Sequence, residues 1–137
     1  MIYGLGTDII EISRIKNAAR RDSFLRRVYT EKEIALCRDK QDFFASLAVR
    51  FAAKEAVAKA FGTGFRGFRW QEIEILADSL DKPLVILHGK AWEIAKELGI
   101  AKLEVTMSHS KDYGVAFCVA EGSEQDVSGH RGRDETY

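Results

Sequence analysis

The hydrophobic pattern is strongest over residues 43–64, FFASLAVRFAAKEAVAKAFGTG, the longest helical stretch and the densest run of alanine in the chain. At about 100° per residue, Phe44, Leu47, Ala48, Phe51, Ala52 and Ala58 fall on one apolar stripe. Glu55 falls in the middle of that stripe, where a core-facing helix normally carries an apolar side chain. An ionised carboxylate there requires a cation, a hydrogen-bond network or a raised pKa. The simplest partner is Lys59, one turn further on the same side.

The remaining pattern alternates between helical and strand periods. IYGLGTDII, residues 2–10, reads as a first strand, and its Gly4 and Gly6 mark close approach by another backbone or a ligand. Asp8, at the far end, is a second acid among apolar neighbours, to be read either as a helix N-cap or as a functional carboxylate. Residues 13–27 are helical with a break near Asp22, and Ile12, Ile15 and Ala19 form the buried side. Thr30 and Glu33 stand at capping-box spacing and open a short helix over 30–40. The central helix ends at Gly62, and Gly62, Thr63 and Gly64 supply a left-handed cap and a loop. WQEIEIL at 70–76 and PLVILH at 83–88 read as strands around a turn at 77–83. A helix over 90–98 follows, with Ala91, Ile94, Ala95 and Leu98 facing in and Gly99 as its stop. Residues 103–120 hold two strands around a turn at Lys111 and Asp112, with His109 at the edge of that turn. The pattern predicts an α+β fold, a small and largely antiparallel sheet packed on the long central helix. From Glu121 onward little is left to pack, so residues 1–121 form the expected domain and 122–137 a flexible tail.

Composition narrows the classes without choosing among them. With 137 residues, 46% hydrophobic and 31% charged, the chain suits one globular domain. Lys and Arg balance Asp and Glu at 21 each, so net charge favours neither nucleic acid nor membrane as a partner. The sequence contains no apolar run of spanning length and no signal-peptide pattern at its N-terminus. Cys37 and Cys118 lie far apart and read as buried thiols in a reducing compartment, which points to the cytoplasm. Charge is segregated, however: Arg14, Lys16, Arg20, Arg21, Arg26 and Arg27 face a single acid, Asp22, within 13–27. Such a patch is either a solvated face or a dock for an acidic partner. No aromatic residues interleave with it as a nucleic-acid platform would require.

Two acids in apolar settings, a lysine one turn after the second, a glycine loop and a late histidine suggest a phosphate-bearing ligand. A Mg²⁺ site takes few protein carboxylates and lets substrate phosphates complete its shell. The motifs that carry the identification are GTDIIEISRI at 6–15, RFAAKEAVAKAFGTG at 50–64 and SHS at 108–110. On these the chain resembles the holo-acyl-carrier-protein synthases, the small bacterial 4′-phosphopantetheinyl transferases. The resemblance implies Mg²⁺-dependent transfer of 4′-phosphopantetheine from coenzyme A to a serine of apo acyl carrier protein, in fatty acid biosynthesis. It further implies Asp8 and Glu55 as metal ligands, Lys59 on the transferred phosphate, and Arg50 and His109 near the 3′-phosphate of coenzyme A. Gly62, Thr63 and Gly64 match the loop beside the nucleotide, and Arg14, Arg20 and Arg21 the helix that receives the carrier. Family members are trimers with the site between subunits, so Asp8 and Glu55 need not come from one chain.

Residues 77–81, ADSLD, mimic the acceptor motif of a carrier protein, but Lys82, Pro83 and a strand follow them, so a turn is expected. The rival reading is a non-catalytic module that binds an acidic protein or RNA through the 13–27 helix.

Overall fold

The computed structural model describes residues 1–123. The expected tail lies outside them apart from its first residues: Gly122 ends the last strand, and Ser123 is buried and donates its amide to Gly99 O at 2.9 Å. The elements are β1 (Ile2–Glu11), α1 (Ile12–Ala18), α2 (Asp22–Val28), α3 (Glu31–Arg38), α4 (Phe43–Phe61), β2 (Ile73–Ala77), β3 (Pro83–Leu87), α5 (Gly89–Glu97), β4 (Ile100–His109) and β5 (Tyr113–Gly122). An antiparallel three-stranded sheet, ordered β1-β5-β4, packs on α4, and β2 and β3 form a separate antiparallel hairpin. The expected α+β architecture holds, with two sheets where one was expected.

Two glycines set how closely β1 approaches α4. A Cβ on Gly4 would stand 2.2 Å from the carbonyl oxygen of Ala60, and one on Gly6 1.9 Å from that of Ala56. Only a bare backbone fits against the helix there, and the helix meets it with alanines. Asp8 shares the α4-facing side of the strand with these glycines, because side chains alternate along β1. Asp8 is paired with Ala116 of β5 in mid-sheet, so it caps no helix.

Around α4 the expected stripe is corrected. The helix is buried on nearly its whole circumference, including Leu47, Ala48, Ala52, Ala56, Val57 and Ala58. Along its second half the one gap in its cover runs through Phe51, Glu55 and Lys59. Glu55 is therefore half-buried at an opening, not centred on the core. A helix apolar all round has no single face for periodicity to find.

The charge that the core does enclose is Lys54. Its ammonium and the Glu33 carboxylate pair at 2.8 Å, both side chains fully buried. Lys54 also donates to Trp70 O and Ile73 O, while Glu33 accepts from Thr30 N and Ile75 N. The capping box expected at Thr30 and Glu33 is present, yet the same carboxylate joins α3, α4 and β2. Burial lowers the Lys54 pKa, and Glu33 offsets part of that.

Residues 70–72 form a 3₁₀ turn instead of the start of a strand, because Glu72 folds back. Its carboxylate accepts from Arg69 N at 2.8 Å and from Lys90 N at 2.6 Å, which ties the turn to the start of α5. The 77–83 segment is a tight turn, as expected: Asp78 accepts from the amides of Leu80 and Lys82. Among the described residues no helix is long and apolar enough to cross a membrane.

Removing one member of a buried pair strands the other charge, at a cost of about 3–5 kcal/mol. Lys54→Met should therefore lower unfolding free energy in urea by that amount. The double variant Lys54→Met with Glu33→Gln should lose less. A single variant within about 1 kcal/mol of wild type would contradict this account of the core.

Candidate active site

Asp8 from β1 and Glu55 and Lys59 from α4 converge at the gap in the cover of α4. The Lys59 ammonium donates to Thr7 O at 2.9 Å and pairs with the Asp8 carboxylate at 3.3 Å. Lys59 thus reaches across to the strand, where the sequence suggested a pair with Glu55. Burial raises the Glu55 pKa, repulsion from Asp8 raises it further, and Lys59 offsets part of the effect. A single chain therefore supplies both carboxylates.

The loop after α4 borders this group. Gly62 is left-handed at φ 83° and donates its amide to Lys59 O at 2.9 Å; Gly64 is left-handed at φ 62° and donates to Ala58 O at 3.2 Å. Thr63 donates its hydroxyl to Gly64 O. A Cβ at either glycine would meet open space, so the loop is kept bare by its backbone conformation and not by crowding.

Arg50 and His109 come together elsewhere. They line a cavity of about 960 Å³ between α4, the β2–β3 hairpin and the end of β4. Arg50 stands five residues before Glu55, roughly 140° around the helix axis. Its guanidinium is 3% exposed and donates to Ile75 O, Ser46 O and Ser46 Oγ. Among the described residues it pairs with no carboxylate, so the cavity has a buried cation in its wall whose partners are all neutral. A site of that kind suits an anion. His109 is exposed at the rim, its ring nitrogen Nδ1 3.2 Å from Ser110 O.

Arg14 lies on α1, and Arg20 and Arg21 lie in the α1–α2 junction, all exposed. The break near Asp22 is where the sequence places it, and Asp22 pairs with Arg26 at 2.7 Å. The sequence reading missed Lys40, which lies on the cavity rim and pairs with Asp81 at 2.6 Å. No periodicity or motif links two residues so far apart in the chain.

Among the described residues there is no group of three or more His, Cys, Asp or Glu side chains suited to hold an ion. Two adjacent carboxylates, of which Asp8 raises the proton affinity of Glu55, fit Mg²⁺, which takes one or two carboxylates and fills its shell with water and phosphate. They do not fit a structural zinc site.

An acidic pair beside a lysine on one side of a helix and an anion cavity on the other, in an α+β frame, define a protein of phosphate chemistry. The model of the 4′-phosphopantetheinyl transferase superfamily matches residues 4–118, and the chain belongs to that superfamily. Its relatives include the holo-[acyl-carrier-protein] synthase of Clostridium tetani, 48% identical over 123 residues that cover 89% of this chain and 98% of that protein. Similar solved structures include the holo-[acyl-carrier-protein] synthase of Neisseria meningitidis, with a TM-score of 0.82, 39% identity, and coverage of 88% of this chain and 99% of that one. The Helicobacter pylori enzyme in complex with coenzyme A matches with a TM-score of 0.76 and 32% identity over 85% of this chain and 99% of its own.

A carboxylate whose folded pKa is raised above its ordinary value of 4.5 contributes stability that is fully present below that value and is lost as pH rises through the folded pKa. In metal-free protein at neutral pH, Glu55→Gln should therefore raise the melting temperature, and the gain should shrink toward pH 4.5. A variant less stable than wild type across that range would contradict the assigned electrostatics.

Proposed function

We propose that this chain transfers 4′-phosphopantetheine from coenzyme A to a serine of apo acyl carrier protein, with Mg²⁺ as cofactor and adenosine 3′,5′-bisphosphate as the second product. The observation that carries the reading is the meeting of Asp8, Glu55 and Lys59 at the one opening beside α4. The serine hydroxyl attacks the β-phosphorus of coenzyme A, and the bond to the bridging oxygen of the pyrophosphate breaks. Phosphoryl transfer asks a protein mainly for positioning and charge neutralisation; the two carboxylates would act through the metal they hold, and Lys59 and Arg50 bring positive charge.

Asp8 and Glu55 would hold the metal, which supplies charge neutralisation at the pyrophosphate when bound. Lys59, half-exposed on a flexible stem, balances charge on the phosphate in transfer. Glu55, at the opening beside the reacting groups, is the acceptor at hand for the serine proton. Arg50 and His109 take the 3′-phosphate end of the nucleotide in the large cavity, and the 62–64 loop lies beside it. Arg14, Arg20 and Arg21 dock the acidic carrier.

The working unit in this reading is a homotrimer. The outer face of β1 and β5 exposes Tyr3, Leu5, Ile9, Tyr113, Val115 and Phe117, each more than a third accessible. A contiguous apolar face of this kind needs a partner, and a closed ring of copies supplies one. Packing of copies there also lets the Asp8–Glu55–Lys59 group of one subunit share a substrate with the Arg50–His109 cavity of its neighbour. We place the enzyme in the cytoplasm, in fatty acid biosynthesis. The buried free thiols Cys37 and Cys118 support a reducing compartment.

Mass spectrometry tests the reading. Incubation with apo carrier, coenzyme A and Mg²⁺ should add one phosphopantetheine arm to the carrier. Arg14→Glu with Arg20→Glu should slow that gain at low carrier concentration and spare it at saturation. No mass gain at any Mg²⁺ concentration would overturn the enzymatic reading in favour of a binding module.

A further inference from the structure

The lining of the 960 Å³ cavity includes a partly exposed ion pair that the reaction does not explain. Lys40, in the α3–α4 junction, and Asp81, at the tip of the β2–β3 hairpin, both line the cavity and pair at 2.6 Å. The hairpin tip is held in one shape. Asp78 takes the amides of Leu80 and Lys82 on its carboxylate and that of Asp81 on its carbonyl oxygen. Asp81 itself is left-handed at φ 65°, the only non-glycine residue with positive φ among those described. Its carboxylate is thus offered to the rim at some backbone cost.

As a stabilising contact the pair has little reason to exist. The side chains are 36% and 69% exposed, and exposed pairs add little to folding. As a cavity element it makes sense. Inside the same cavity Arg50 hydrogen-bonds to neutral partners only, so an anion bound there would share the cavity with a lysine already paired with Asp81. The lysine is the mobile member, a point charge on a flexible stem, whereas Asp81 is fixed by its turn.

We propose that Lys40 and Asp81 form a latch across the cavity mouth that the 3′-phosphate of coenzyme A opens, Lys40 leaving Asp81 to bind the phosphate. This rests on the reading that the cavity receives the nucleotide end of coenzyme A. Asp81 is then a built-in competitor for the phosphate, and the pair sets how strongly the enzyme distinguishes coenzyme A from its 3′-dephospho form. A phosphate carries nearly twice the charge of a carboxylate, so it displaces Asp81 while a ligand without that phosphate does not.

The two partners of a purely structural pair fail in the same direction when either is removed. The partners of this latch should fail in opposite directions. Lys40→Met keeps the stem and removes the charge; Asp81→Asn removes the charge and keeps a residue tolerant of left-handed backbone. With coenzyme A, Lys40→Met should raise KM about fivefold and Asp81→Asn lower it about threefold, kcat being unchanged in both. The double variant should match Lys40→Met. With 3′-dephospho-coenzyme A, all three should match wild type. Shifts in the same direction, or none, overturn the latch. His109→Ala separates this from failure of the site reading. If it raises KM for coenzyme A while the latch variants are silent, the cavity stands and the latch falls. If wild type treats the two coenzymes alike and His109→Ala is silent, the cavity reading falls and takes the latch with it.

Discussion

The constraint on which the rest depends is the contact between the bare edge of β1 and the alanine side of α4. With Cβ positions on Gly4 and Gly6 that would lie 2.2 and 1.9 Å from helix carbonyl oxygens, strand and helix are closer than any side chain permits. Gly114 of β5 repeats the device more loosely, since a Cβ there would stand 3.2 Å from the Val49 side chain. This closeness lets a short carboxylate on β1 sit beside one on α4 and lets Lys59 of the helix reach across to pair with Asp8. Residues on neighbouring elements at ordinary helix-to-sheet distance, about 10 Å, would not meet in this way. Packing and chemistry are here the same fact.

The other side of α4 is arranged by a different force. Glu33 and Lys54 are taken fully out of water, and their hydrogen bonds draw α3, the 70–72 turn and β2 against the helix. That arrangement leaves a cavity where hairpin, helix and β4 do not close, with Arg50 in its wall. One helix therefore carries two half-sites, a metal-type acidic group and an anion cavity, facing roughly 140° apart. In a single chain they address different volumes. The exposed apolar outer face of β1 and β5 gives copies of the chain a reason to associate, and in the proposed trimer association would give both half-sites one substrate.

Much of this was legible in the sequence where a local rule decides. The ends of α4, the capping box at Thr30, the turn at Asp78 and the stop at Gly99 each follow from residues next to one another. Asp8, Glu55 and Lys59 were found by their unusual settings and by a motif, and the structure does bring them together. The orientation of α4 was not legible. Its apolar residues surround it, and the charges that mark its open side, Glu55 and Lys59, are matched in number by the buried Arg50 and Lys54. The 3₁₀ turn at 70–72 was also hidden, since Glu72 caps the turn at Arg69 N and at the same time takes the amides of Lys90 and Ala91, eighteen and nineteen residues on. Pairs formed only by tertiary structure, Glu33 with Lys54 and Lys40 with Asp81, leave no local signal.

The central claim is that each working site combines the acidic group of one subunit with the anion cavity of another. Subunit mixing tests it most directly. Glu55→Gln and His109→Ala each disable one half-site, and co-refolding equal amounts allows hybrid trimers to form. The account predicts that the mixture recovers roughly a quarter of wild-type sites, far above either variant alone. Activity that stays at the average of the two variants, with hybrids present by native mass spectrometry, would contradict a shared site.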